Sequence, residues 1–94
     1  MRLDDAIIEA MTEANDYEIW AGMFGLCGEA YAKFGGRVVH PLNRNKAVID
    51  ACRRSKKFER LGNIRASDST GRREILHPCF GLKEKYRPTP KGVK

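Results

Sequence analysis

The sequence predicts a small α+β domain in which three helices are followed by a β-hairpin, and three observations carry that expectation. Before Gly62, apolar residues recur at three-to-four spacing in three stretches, which is the period of an amphipathic helix. Around and beyond Gly62, two segments read as extended chain on either side of "SDSTG", a run of residues that favour tight bends. The 94 residues, 41% hydrophobic and 32% charged, suffice for one core of about twenty side chains but not for a deep cleft between lobes.

The first helix is "LDDAIIEAMTEA", residues 3–14. Leu3, Ile7, Ala10 or Met11, and Ala14 share one face, while Asp4, Asp5, Glu9 and Glu13 occupy the other, with the early acids placed to favour the helix dipole. Asn15 and Asp16 supply a stop and a new cap. Ile19, Trp20, Met23, Phe24, Cys27, Ala30, Tyr31 and Phe34 then repeat with helical period up to Gly35-Gly36, predicting a second, core-forming helix. Its glycines Gly22, Gly25 and Gly28 each cost about 1 kcal/mol relative to alanine, so close helix packing or a break in the helix is expected there. "RVVHP", closed by Pro41, suggests a strand of two or three residues.

A third helix is expected over 45–57, "NKAVIDACRRSKK", capped by Asn43 or Asn45, with Val48, Ile49 and Cys52 inward and Arg44, Lys46, Asp50, Arg53, Arg54 and Lys57 outward. "FERLGNIRA" and "REILHPCFGLKEKY" form the hairpin, and "RPTPKGVK" reads as a flexible basic tail. The domain is therefore residues 1–86 and the tail 87–94.

Charge is distributed unevenly. Residues 1–32 hold one basic residue, Arg2, against seven acids, whereas residues 33–94 hold seventeen basic residues against five acids. Eight of these cations fall between Arg53 and Arg73. Such a dipole concentrates polyanions on one side, and nucleic acid is the leading partner. No window approaches eighteen apolar residues and the start lacks the apolar stretch of a signal peptide, so no membrane association and a cytoplasmic location are expected.

Other chemistry is poorly represented. Cys27, Cys52 and Cys79 are odd in number and widely spaced, which argues against a disulfide framework. His77 and Cys79, with Cys52, offer metal-ligating atoms but none of the closely paired spacing of a structural zinc site, so no metal or cofactor is expected. No nucleophile elbow, HExxH or phosphate-binding glycine loop is present, and an enzyme is not expected.

Helix, helix, short strand, basic helix and basic-tipped hairpin together resemble the winged helix-turn-helix family of DNA-binding domains. The likeness rests on "NKAVIDACRRSKKFERLG" as a recognition-like helix running into a wing strand and on "RREILHPCFGL" as the returning strand. It covers residues 3–86 and is a likeness of pattern. One departure is that the family places its short first strand before the second helix, whereas "RVVHP" follows it.

The resemblance implies duplex DNA as partner and transcriptional regulation as function, with a symmetric homodimer on a palindromic site as the family's usual mode. Asn43, Arg44, Asn45 and Lys46, with Asp50 and Arg53 one and two turns on, would then face base edges, since arginine and asparagine can each form paired hydrogen bonds to a purine. Lys56, Lys57 and Arg60 suit phosphates, Arg72 and Arg73 would act at the wing tip, and Arg54 completes the DNA-binding set. Trp20, Phe24, Tyr31 and Phe34 are at core spacing, leaving Tyr17 and Tyr86 as aromatics able to stack, so duplex is favoured over single strands. The competing reading is a protein-binding module of the kind encoded by phages and mobile elements, an inhibitor or adaptor of a host nucleic-acid-processing or defence complex.

Overall fold

The structure, a computed structural model, describes residues 1–37, 40–68 and 70–87. Its elements run α1 (Leu3–Ala14), β1 (Glu18–Ile19), α2 (Phe24–Phe34), α3 (Pro41–Arg54), β2 (Phe58–Ser67), β3 (Glu74–Leu82) and a 3-10 turn (Glu84–Tyr86). Three helices thus accompany a three-stranded antiparallel sheet of order β1-β3-β2, an α+β fold. Among the described residues no helix is long and apolar enough to cross a membrane.

α1 forms where its periodicity places it, burying Ala6, Ile7, Ala10 and Met11, although Ala14 is exposed. Asn15 ends it in the left-handed conformation at φ 54°, a geometry in which asparagine is among the better tolerated residues.

The second helix begins later than its apolar period suggests. Ile19 and Trp20 share the spacing of Phe24 and Cys27, yet Glu18 and Ile19 are extended and pair with Gly81 and Phe80 of β3. Leu82 N–H also donates to the Tyr17 carbonyl at 3.0 Å. The open edge of β3 supplies hydrogen-bond partners that a helix terminus lacks, and Ile19 becomes fully buried. A turn closed by Met23 N–H on the Trp20 carbonyl (3.0 Å) then leads into α2. Gly22 lies in this turn beneath the Trp20 indole, so the helix is broken where one of its three glycines stood. Gly28 lies within α2, and a Cβ there would stand 3.3 Å from the Arg44 guanidinium carbon.

α3 runs 41–54 rather than 45–57. His40 caps it, accepting the Leu42 N–H on Nδ1 at 3.2 Å, and Pro41 occupies the first turn, where its missing N–H costs nothing. At the other end Ser55 stops the helix. Its hydroxyl accepts the Lys57 N–H (3.2 Å) and donates to Asp4 of α1 (3.0 Å), so Lys56 and Lys57 fall in the following turn. The strand expected in "RVVHP" centres on Val38 and Val39, outside the described residues.

β2 and β3 form the expected hairpin, in register from Phe58 opposite Leu82 to Ser67 opposite Glu74. An irregularity falls between Arg60 and Gly62, and Gly62 adopts φ 138°, which a side chain would strain. The core lies where the helices meet the base of this hairpin. Ile7, Met11, Ile19, Val48, Cys27, Cys52 and Leu82 are all but fully buried there, with Phe58 and Phe80 beside them. Of the expected tail, Arg87 is held to the body, its Nε donating to the Leu82 carbonyl at 2.9 Å and its guanidinium 5.2 Å from the Tyr17 ring centre. The remainder, 88–94, lies outside the described residues.

Candidate nucleic-acid interface

The outward stripe of α3 follows from what the helix buries. Asn45, Val48, Ile49 and Cys52 face the core, which turns Asn43, Lys46, Arg53 and Arg54 outward and leaves Asp50 half-buried between them. Lys46 and Asn43 stand on one wall of an open groove of about 800 Å³. Ala66, Ser67, Asp68, Thr70 and Gly71 of the hairpin end line the groove too, and Trp20, Ala21, Gly22, Phe24, Leu42 and His77 complete it. Arg72 and Arg73 are exposed and continue directly from Gly71. The first half of α3 and the end of the hairpin therefore line one groove, of which Arg72 and Arg73 are not themselves lining residues.

The hairpin turn is held by its own polar groups. Asp68 N–H donates to the Arg73 carbonyl at 2.8 Å, and Asp68 Oδ1 accepts from the Thr70 N–H (2.9 Å) and hydroxyl (2.6 Å). These bonds, the Thr70 hydroxyl's first, hold the Asp68 carboxyl below its ordinary value, so the groove carries a negative charge as well as the Lys46 cation. His77 donates from Nε2 to the Ser67 carbonyl (3.1 Å) and lies against Trp20 with ring centres 5.6 Å apart.

Two residues expected at base edges are turned inward. Asn45 is 1% exposed, because its amide Nδ2 donates to the Ala21 carbonyl at 2.8 Å and its Oδ1 accepts from Arg44 Nε at 3.2 Å. Arg44 also reaches the Phe24 carbonyl (3.5 Å) and covers Gly28, tying α3 to α2. Neither contributes to the outward stripe.

Three of the other expected cations gather at the far end of α3. Arg54, Lys56 and Lys57, with Arg2, Asp4, Ser55 and Tyr86, line a recess of about 390 Å³. Lys46 and Arg54 are eight residues apart, about 12 Å along the helix axis. Lys57 donates to Asp5 of α1 at 2.9 Å, a bond that raises its ammonium above its ordinary value and offsets its charge locally. Arg53 is 3.4 Å from Asp50, with its side chain 60% exposed. Arg60 donates to Asn63 on β2. Among the described residues no acid pairs with Lys46, Arg54, Lys56, Arg60, Arg72 or Arg73.

Tyr31 packs against the core as expected and Trp20 is half-buried, but other aromatics depart from expectation. Phe24 and Phe34 are 46% and 39% exposed, whereas Tyr17 and Tyr86 pack against the core with Arg87 and Lys85 over their rings. Leu42 and Phe24, unremarked as surface residues, line the groove because α2 and α3 both start beyond the edge of the core. The signal was present in Pro41, which as a first-turn residue would have placed Leu42 and Asn43 at the helix tip.

All three cysteines are free and buried. Burial pushes the Cys27 and Cys52 thiols up to about 12 and also raises Cys79. Among the described residues no three His, Cys, Asp or Glu side chains cluster as a metal site would require. Comparison with protein-family models, curated proteins and solved structures finds no match to this chain.

Proposed function

We propose that the chain is a winged helix-turn-helix protein that binds duplex DNA, with the outward stripe of α3 in the major groove and the β2–β3 hairpin as the wing, acting as a transcriptional regulator. The element order supports this reading. A short strand stands between the first two helices and pairs with the returning wing strand, so β1 fills the place that "RVVHP" left vacant.

The observation that carries the proposal is the groove shared by Asn43, Lys46 and the hairpin turn. A helix fits a major groove about 12 Å wide, and its N-terminal residues are those that meet base edges in helix-turn-helix proteins. Asn43, Lys46, Asp50 and Arg53 are spaced three, four and three residues apart, so they lie along one side of the helix. Arg72 and Arg73 are then placed for flanking phosphates, and Arg54 and Lys56 for backbone beyond the helix end.

Affinity for random duplex DNA against salt tests this. Neutralising about five phosphates makes log K fall with log salt at a slope near −4 to −5. Absence of such binding at physiological salt overturns the proposal.

The exposed Phe24 and Leu42 favour a second reading, in which the groove takes an apolar side chain of a protein partner and the basic face lies in a nucleic-acid channel of a host complex. Such a module need show no binding to free duplex at physiological salt.

A further inference from the structure

We propose that the N-terminal tip of α3 selects A·T base pairs, with the Asn43 amide on adenine and the Leu42 side chain against the thymine 5-methyl group. This rests on the duplex-binding reading above and adds to it the class of sequence recognised.

The argument begins with what the fold removes from the surface. Guanine presents two acceptors, O6 and N7, and arginine is the residue best shaped for both. The one arginine in the first half of α3, Arg44, has its guanidinium engaged by Asn45 Oδ1 and the Phe24 carbonyl and lies over Gly28. Asn45, the second amide in this turn, is bound to the Ala21 carbonyl inside the fold. The four candidate base readers at the N-terminal tip of the helix are thereby reduced to Asn43 and Lys46.

What remains exposed has a consistent chemistry. Adenine offers N7 as acceptor and its N6 amino group as donor, the complement of a side-chain amide, and thymine offers a methyl group at the same groove floor. Asn43 is exposed and donates or accepts no hydrogen bond through its side chain among the described residues. Leu42, adjacent to it, is 39% exposed on the same groove, and Phe24 extends the apolar surface at 46%. An apolar side chain beside an unengaged amide, at the tip of the helix and flanked by Lys46, matches an A·T step in a polyanion.

Selection of bound sites from random duplexes, followed by fluorescence anisotropy on the selected duplex with single thymines replaced by deoxyuridine, tests the inference. The expected result is an A·T pair at a fixed position and a loss of about fourfold in affinity on removing its methyl, the value of burying one methyl-sized group. Leu42→Ala, a change at an exposed position, is expected to bind the thymine and uracil duplexes equally while retaining the parent's salt slope. Selected sites without a fixed A·T pair, equal binding of thymine and uracil by the parent, or discrimination that persists in Leu42→Ala each overturn the inference with the duplex-binding reading intact. Loss of salt-dependent binding in the parent overturns both.

Discussion

Asn43 and Asn45 are two positions apart on α3, the first exposed and the second buried, so on the proposed reading exchanging each for alanine separates recognition from folding. Asn45→Ala removes the bond to the Ala21 carbonyl at 2.8 Å and the bond from Arg44 Nε at 3.2 Å, inside a site that is 1% exposed. An unsatisfied buried polar group costs about 1–3 kcal/mol, and the half-buried Arg44 regains part of its loss from water, so about 2–4 kcal/mol in all is expected. A domain of this length is stable by about 5–14 kcal/mol, so the loss is a substantial fraction of the whole. It corresponds to a fall of about 10–25 °C in Tm. Urea unfolding followed by far-ultraviolet circular dichroism measures it, and DNA affinity is taken under conditions where the variant is folded. Asn45→Ala should bind DNA as the parent does, while Asn43→Ala should keep parental stability within about 0.5 kcal/mol and lose about tenfold or more in affinity for a specific site. An Asn45→Ala protein with parental stability and impaired binding would refute the assignment of that amide to the interior.

Lys46→Ala should reduce the salt slope by about one, since an unpaired cation on the groove is lost, whereas Lys57→Ala should change affinity by no more than about twofold because Asp5 already offsets that charge. The same salt titration reports both. Burial holds Cys27 and Cys52 neutral in the fold up to about 12, against an ordinary value of 9.0, so their contribution to stability is complete below pH 9 and declines as pH rises from there towards 12. Stability measured in urea should therefore fall by about 3 kcal/mol between pH 8 and pH 10, and a Cys27→Ala, Cys52→Ala double variant should lose this dependence. Gly22→Ala places a methyl group against the Trp20 ring and should destabilise the fold by about 1–3 kcal/mol. A red shift in the emission of this single tryptophan reports displacement of its ring, and unchanged emission would show that the ring has room.

Legibility followed the range of the interaction responsible. α1 and the hairpin depend on neighbours a few residues away: the Ile7 and Met11 spacing, the Asn15 stop and the bend around Asp68 and Gly71 all act locally and were readable. The start of α2 was not, because Ile19 and Trp20 suit a helix face and a strand equally, and the deciding partners, Phe80 and Gly81, are some sixty residues further along the chain. The limits of α3 were misplaced for a different reason. Pro41 suits the end of a strand as well as the first turn of a helix, and reading it as the former moved the cap to the asparagines.

The separation of acids near the amino terminus from cations beyond residue 33, the three helical periods and the turn at the hairpin tip are properties of the one-dimensional order of residues, and they sufficed for an α+β domain with a basic half. Which cations and amides remain exposed was decided by packing. Arg44 and Asn45 have the same chemistry as any surface arginine or asparagine, but the Phe24 and Ala21 carbonyls draw them inward, and Asp5 meets Lys57 across more than fifty residues. A polar side chain goes where unpaired donors and acceptors are brought to it, and that placement exists only once the helices have met.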